Sequence, residues 1–385
     1  MNGSLKWKNI NFGVLYLRRN GKVNKMENVE PEEVGMSSTK LLEVKKYLKW
    51  SMKTLKAASA AAAVILRHGK IVAEWYLGRY NHCPHARLVD ENSQFKIYSV
   101  RKAYVATALC MLLGEGKVKL EDPLFEYFPE LTDERGKITV RQIATHTSGL
   151  DPDAKHWKTV KLLHKPGSFH EYNNIGVLLV TDLIHRVSGK PLHEFMEERV
   201  FKPLGLKRTY WPLYPDEPPG DRVYVVRSET DCPGTLECVY YPVRPTAYSS
   251  LYTTARELAR FGQMWLNGGE LDGNRILTPQ VVRLATTPQI PYPARRDAPY
   301  QGILWFLRVG SPSENLCPVI GDKVPVGSYA HGGASHCYLL VCPRLDLVAV
   351  KMLNRCHGPP EFDSDLDYRT FGDLVVSAVT DVEVK

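Results

Sequence analysis

The 385-residue chain is 44% hydrophobic and 24% charged, the make-up of an ordinary folded protein and long enough for one to three domains. Its net charge of +8 would suit a nucleic-acid partner. The basic residues are scattered, however, outside an N-terminal arm (Lys6, Lys8, Arg18, Arg19, Lys22, Lys25) and the 45–56 stretch. No aromatic-studded basic groove accompanies them, so a solvated surface and no nucleic-acid partner are expected. No run approaches 18 apolar residues, which excludes a membrane-spanning helix and a membrane partner of that kind. Asn9–Tyr16 is too short and polar for the core of a signal peptide. The eight cysteines follow no framework spacing; without a signal a cytoplasmic, reducing location is the expectation, and with it thiols. Cys232 and Cys238, flanking a Pro-Gly turn, are the pair that would join in an oxidising compartment.

Residues 1–30 lack a period and read as an extension. Ser38-Thr39 then open an amphipathic helix with Leu41, Val44, Leu48 and Met52 on one stripe. Val64–Leu66 and Ile71–Tyr76 are β-rich runs about His68-Gly69, a hairpin. In the loop that follows, His82, Cys83 and His85 form a small cluster. No second cluster faces it at a ligand spacing and no H-E-x-x-H occurs, so a surface loop is expected and no metal. Phe95–Tyr98 reads as extended, and Ala103–Leu113 as a strongly apolar, buried helix stopped by Gly114 and Gly116. Helices are expected from Thr139, over Ile175–Val187 and over Leu192–Val200, broken by Pro- and Tyr-rich loops at 211–219 and 240–248. Thr254 to Glu257 reads as a capping box. Gly302–Val309, Tyr338–Val341 and Leu347–Leu353 read as strands, and a last helix carries Phe371, Leu374, Val375 and Ala378. Strands at both ends with helices between imply one antiparallel sheet assembled from the two chain ends.

The chemistry begins at Ser99-Val100-Arg101-Lys102. Ser99 falls in the first helical turn, where free N–H groups and the helix dipole favour negative charge. Lys102, three residues on, shares its face. A lysine buried at the mouth of an apolar helix can lose its proton and activate the serine. Alone, S-x-x-K is usually a capping serine beside a solvated lysine. Two later stretches add to it: Tyr172-Asn173-Asn174 after the Pro166-Gly167 turn, and His331-Gly332-Gly333-Ala334 before two strand-like runs.

S-x-x-K, Y-x-N and a basic residue followed by x-G, in that order, form the triple signature of penicillin-recognising serine enzymes. With Ile143–Leu150, Pro203–Leu206 and Ser250–Phe261, the chain resembles the serine β-lactamase-related family on its class C branch, over roughly residues 28–380. That branch also holds esterases and D-amino-acid peptidases. The resemblance implies an α/β (α+β) fold: an antiparallel sheet flanked by terminal helices, plus an inserted all-helical domain, with the active site in the cleft between. The expected domains are the 1–30 extension, an α/β domain of 31–104 with 246–385, and a helical domain of 105–245. It implies Ser99 as nucleophile, Lys102 as its base or activator, and Tyr172 sharing the proton traffic with a phenol pKa lowered by nearby cations. It places Asn174 on Lys102 and the substrate amide, and the N–H groups of Ser99 and Ala334 in the oxyanion hole. Gly332 and Gly333 let substrate lie close to the strand. His331 stands where β-lactamases carry lysine. An imidazole titrating near neutrality would be a weaker carboxylate anchor, which moves weight toward the esterases and aminopeptidases.

The function expected is hydrolysis of a small ester or amide through an acyl-enzyme, without a cofactor. A true class C-like β-lactamase or penicillin-binding carboxypeptidase is the alternative. A non-catalytic ligand-binding relative is the alternative of another class, which the intact triple motif disfavours. Ser335, in Gly333-Ala334-Ser335-His336-Cys337, is a near miss to G-x-S-x-G and lacks its second glycine and strand–turn–helix setting.

Overall fold

The computed structural model describes residues 26–54, 58–213, 219–236, 251–290, 299–310, 317–357 and 362–382. Helix α1 (Ser38–Thr54) buries Leu41, Val44 and Leu48, the stripe its periodicity marks. Strands β1 (Ala60–Arg67) and β2 (Lys70–Gly78) form the hairpin about His68-Gly69, both with positive φ. The short β3 (Phe95–Lys96) leads into a 3₁₀ turn, Tyr98–Arg101, and then helix α2 (Lys102–Gly114). A helical region follows: α3 (Val140–Ala144), α4 (Asn174–Ser188), α5 (Leu192–Met196), which passes through a π turn, and α6 (Lys202–Leu204). Beyond it, β4 (Tyr252–Thr253) pairs with β3 and precedes α7 (Ala255–Leu266). A small hairpin of β5 (Glu270–Leu271) and β6 (Asn274–Arg275) leads to α8 (Pro279–Ala285). The chain closes with β7 (Phe306–Leu307), β8 (Tyr329–Gly332), β9 (Tyr338–Cys342), β10 (Leu347–Leu353) and α9 (Ser364–Ser377).

The sheet has six strands in the order β2-β1-β10-β9-β8-β7, every neighbour antiparallel, so both chain ends do build it. Its two faces are covered by different helices. Ala61, Ala63 and Ile65 of β1 join the core of α1 and α9, and Ala60, Ala62, Val64 and Leu66 join that of α2 and α7. A strand covered on both faces reads as a continuous apolar run instead of an alternation, which is why Ala60–Leu66 shows no period of two. Helix α7 lies close: a Cβ at Gly262 would come 2.8 Å from Val348 and 2.9 Å from Leu339.

Several expectations change. Gly302–Val309 is not one strand. Gly302 donates to Trp305 O, Leu304 has φ 54°, and only Phe306–Leu307 pairs in the sheet. Thr254 caps α7 by accepting from Glu257 N, but the Glu257 carboxylate turns to Arg208 N and the Thr209 hydroxyl, so the box is half made. Cys83 and Cys232 form a disulfide. This overturns the reading of all eight cysteines as thiols, which followed from the expected reducing compartment. It also removes Cys83 from its histidine cluster. Cys238 and the 240–248 loop lie outside the described residues, as do residues 214–218 of the other loop and most of the 1–30 extension. Among the described residues, no helix is long and apolar enough to cross a membrane.

His336, 1% exposed with φ 60°, packs its ring on Phe362 and Tyr368, and neither ring nitrogen has a hydrogen-bond partner among the described residues. Burial and the nearby Lys351 charge push its pKa down to about 4. The unfolded chain therefore takes up a proton that the folded chain refuses as pH falls from 6.5 to about 4. Stability drops over that window by about 1.4 kcal/mol per pH unit from this residue, and the loss ends below the folded value. His336→Asn, tolerant of the same backbone, should lower the slope of unfolding free energy against pH by about one proton in urea titrations. An unchanged slope would mean that the imidazole already protonates in the fold.

Candidate active site

Three segments far apart in sequence meet around Ser99. The first is its own. Ile97 N donates to Leu251 O at 3.1 Å, which anchors the strand end, and Tyr98 then takes φ 45°, a left-handed conformation rare for a bulky residue. That turn starts the helix at once, so Ser99 stands at its N-terminal end. Every residue of α2 from Lys102 to Leu112 is buried, because the helix runs through the middle of the protein. Lys102 has no exposed surface, and its Nζ lies 2.9 Å from Ser99 Oγ.

The second segment is the turn before α4. Tyr172 sets its ring face toward Lys102, with Nζ 4.7 Å from the ring centroid, and its hydroxyl is near enough to Ser99 for that side chain to pull the phenol pKa down. Asn173 holds this turn: its side chain accepts from Gly176 N at 3.1 Å and donates to Leu150 O at 2.6 Å, capping the helix. Asn174 is half-buried in the first turn of α4, and its side chain makes no hydrogen bond among the described residues. The structure therefore gives the cap to Asn173 and shows no hydrogen bond between Asn174 and Lys102.

Strand β8 supplies the third wall. His331 is buried, its Nδ1 lies 2.8 Å from Gly332 O, and its ring meets Phe306 edge-on at 5.4 Å. Phe306 in turn lies parallel to Tyr172, ring centroids 6.4 Å apart. The two glycines are required by crowding. A Cβ at Gly332 would come 2.6 Å from the Tyr368 ring, and one at Gly333 would come 2.3 Å from Ile97 O and 3.3 Å from Ser99 N. Gly333-Ala334 thus runs directly beside the Ser99 N–H, and the Ala334 N–H has no acceptor among the described residues. Ser335 turns away: its hydroxyl donates to Lys96 O at 2.8 Å and is fully buried.

His146 joins these residues and was not legible as a site residue in the sequence. It follows α3, has φ 57°, and its Nδ1 lies 3.1 Å from both N and O of Asn173. Its ring is 4.6 Å from that of Tyr172. The only available signal was its place in Ile143–Leu150, one of the stretches on which the family resemblance rests. Gly149 turns the chain there with φ 73°, and a Cβ on it would come 2.1 Å from His164 O.

Charge has been driven out of the site. Burial, reinforced by the Arg101 charge, holds the Lys102 amine well below an ordinary lysine. Burial and the positive field of Lys102 do the same to His146, and lower His331 to about 3. His331 is therefore uncharged throughout the neutral range, which corrects the expectation that it titrates there. Although Tyr172 is 38% exposed, packing about its hydroxyl end pushes the phenol up to about 12, against Ser99 and Arg101, which pull it down. The expected lowering by cations fails because burial outweighs the pull of Ser99 and of the Arg101 charge. A neutral amine within hydrogen-bond distance of a hydroxyl can receive its proton, and a neutral phenol can donate one.

The Beta-lactamase family profile matches residues 49–373. The chain belongs to that family. An uncharacterised protein of Alkalihalophilus pseudofirmus is 30% identical over 83% of this chain and 91% of its own length. The D-alanyl-D-alanine-carboxypeptidase/endopeptidase AmpH of Escherichia coli is 27% identical over 69% of this chain and 71% of its own. Among solved structures, a class C β-lactamase superposes with TM-score 0.71 at 18% identity, covering 90% of this chain and 98% of its own. EstCE1, described as a hydrolase with promiscuous acyltransferase activity, superposes with TM-score 0.70 at 17% identity, covering 87% and 98%. The shared architecture is the β-lactamase fold, and this member is a serine hydrolase of the β-lactamase-related family.

For this family member the pH profile is an internal check on the site. If neutral Lys102 takes the serine proton, kcat/KM for a neutral ester rises on the acid side as that amine deprotonates, well below an ordinary lysine. A phenol near 12 leaves no alkaline fall up to about pH 10. A descending limb centred near an ordinary tyrosine would show that the Tyr172 hydroxyl is not held as described.

Proposed function

We propose that this β-lactamase-related enzyme hydrolyses small uncharged esters through an acyl-enzyme on Ser99. The observation that carries the choice of substrate is the buried, uncharged His331 at the position where the resembled β-lactamases hold a cation. A carboxylate-bearing β-lactam or peptide would meet imidazole and aromatic surface there, with no charge to offset its desolvation. A neutral acyl group lies against Tyr172 and Phe306 without that cost.

The steps follow from the resting protonation states. As Ser99 Oγ attacks the carbonyl carbon, its proton passes to the Lys102 lone pair across 2.9 Å. The carbonyl π electrons move onto oxygen, which the Ser99 and Ala334 N–H groups receive as an oxyanion. Collapse expels the alkoxide, and the Tyr172 hydroxyl protonates it, drawing its own replacement proton from the Lys102 ammonium. Water then repeats the sequence: the Lys102–Tyr172 pair removes its proton, hydroxide adds to the acyl carbon, and Ser99 leaves with a proton returned by Lys102. At pH 7 an ordinary lysine is neutral in only about one molecule in 2,500, so burying Lys102 is what makes this base available. In the second reading, which the AmpH likeness favours, the substrate is a D-amino-acid peptide and the same groups act on an amide.

A panel of p-nitrophenyl esters, a chromogenic cephalosporin and D-amino-acid amides separates these readings. The neutral short-chain esters should be turned over fastest. Ser99→Ala should lose both turnover and covalent labelling by a fluorophosphonate, seen by intact-protein mass spectrometry. Labelling that survives in Ser99→Ala, or is lost only in Ser335→Ala, would displace Ser99. Lys102→Ala and Tyr172→Phe should each lower kcat by about 10²-fold or more with little change in KM, and their losses should not add.

The uncharged His331 makes a separate prediction. The ratio of kcat/KM for an anionic ester over a neutral one should stay flat between about pH 6 and 8, because no imidazole charge is lost there. A ratio that falls across this range, and that flattens in His331→Lys, would mean that His331 carries charge and acts as an anion anchor.

A further inference from the structure

Tyr368 lies on α9, far in sequence from every residue placed at the reaction, and is 4% exposed. Its hydroxyl donates to Gly333 O at 2.6 Å. The same oxygen accepts from His336 N at 2.7 Å, closing the turn Gly333–His336, and Gly333 N donates to Cys337 O at 2.9 Å. Gly333 O and Ala334 N–H belong to one peptide plane. In a trans peptide these two groups point to opposite sides. Fixing the oxygen therefore fixes the direction of the N–H. Gly332 has no Cβ because the Tyr368 ring fills that space, and Gly333 has none because the Ser99 segment does. The Gly333-Ala334 peptide is consequently clamped between Tyr368 on one side and the nucleophile's own backbone on the other.

We propose that Tyr368 is a positioning residue: by holding Gly333 O it aims the Ala334 N–H at the carbonyl oxygen of a substrate on Ser99. The inference rests on Ser99 as nucleophile and Ala334 N–H as oxyanion donor. Tyr368 is itself held. Its ring stacks on Tyr338 at 5.3 Å, and Lys351 Nζ stands 5.4 Å from its centroid. That lysine is paired with Asp367, the neighbour of Tyr368 in α9, and both side chains are fully buried. Asp367 also accepts from the Tyr47 hydroxyl at 3.0 Å and the Ser51 hydroxyl at 3.3 Å. Burial keeps the Tyr368 phenol protonated far above the neutral range, so it remains a donor wherever the enzyme works. The phenol touches neither Ser99 nor Lys102 by hydrogen bond, and its effect on the reaction passes through the peptide it holds.

The test is Tyr368→Phe, which keeps the ring against Gly332 and removes only the hydroxyl. Losing an oxyanion donor outright costs about 10²–10³ in kcat. A donor that stays but loses its aim should cost roughly 10- to 100-fold in kcat, with KM changed less than about 2-fold. Tyr47→Phe is the comparator, since it removes a part-buried hydrogen bond from α1 to Asp367 on the same helix as Tyr368 without touching Gly333. It should lower the thermal midpoint and leave kcat as in wild type. A matched pair of phenyl acetate and its thiono analogue adds a readout that a general loosening would not move. Sulfur accepts hydrogen bonds poorly, so Tyr368→Phe should depress the oxo ester more than the thiono ester. Should Tyr368→Phe not fold, Gly332→Ala displaces the same ring and should shift the oxo-to-thiono ratio the same way. A folded Tyr368→Phe with wild-type kcat, or equal losses in Tyr47→Phe, overturns the positioning role. A wild type that neither hydrolyses the oxo ester nor takes a fluorophosphonate on Ser99 instead overturns the catalytic reading beneath it.

Discussion

Burying Lys102 at the head of α2, a helix with no partly exposed residue until Leu113, is the constraint to which the other site groups answer. A charged ammonium there, with Arg101 next to it, would cost several kcal/mol in desolvation even after local relaxation. The amine escapes that cost by giving up its proton. Burial likewise keeps the proton on Tyr172, against the pull of Arg101. Under the proposed mechanism, base and acid then fall to different side chains. His146 and His331, packed in the same dry region, are held neutral by the same burial.

The construction that permits this is two-ended. Ser99 and Lys102 come from the first third of the chain and Gly332-Gly333 from the last, and they meet because β8 pairs two strands away from β10, which pairs with β1. At that junction backbone approaches backbone too closely for any side chain, as the contacts of a Cβ at Gly333 show. Behind it lies the fully buried Lys351–Asp367 pair joining β10 to α9. Such a pair adds little net stability, but breaking one partner leaves a buried charge. It therefore sets where α9 lies along the sheet, and with α9 the Tyr368 hydroxyl.

Patterns that depend on neighbours in sequence were legible. The hairpin about His68-Gly69, the α1 stripe and the continuous β10 run follow from turn chemistry and periodicity alone. So did the Ser99–Lys102 pair, because three residues on a helix bring two side chains together wherever the helix is placed. What failed depends on contacts across the fold. The partner of Cys83 is 149 residues away, and nothing in the spacing favours Cys232 over Cys238. Glu257 has the right offset for a reciprocal cap, yet Arg208 and Thr209 claim its carboxylate. The pKa directions at Tyr172 and His331 were misjudged for one reason. A list of nearby cations says nothing of how much water remains, and burial is the first cause of both shifts. His146 escaped notice because its role comes from a backbone contact with Asn173 that no local period encodes.

The imidazole at position 331 and the neutral amine at 102 are parts of one electrostatic arrangement. A lysine at 331 would place a second amine beside Lys102, His146 and Arg101 in a buried strand. It would then either lose its proton as Lys102 does or depress Lys102 further. An imidazole avoids the choice, since Nδ1 is satisfied by Gly332 O at 2.8 Å and the ring packs on Phe306. The wall facing the acyl group is then made of ring faces and edges from Tyr172, Phe306 and His331. Surfaces of this kind discriminate by shape and apolar area, where one methylene is worth only about 1–3 kcal/mol. Under the proposed function a wall of these rings selects little by charge, so the orientation of the scissile carbonyl would fall to the Ser99 and Ala334 N–H groups. The demand on the Gly333-Ala334 peptide is correspondingly greater, and it is met by a hydroxyl and a turn amide on the same oxygen.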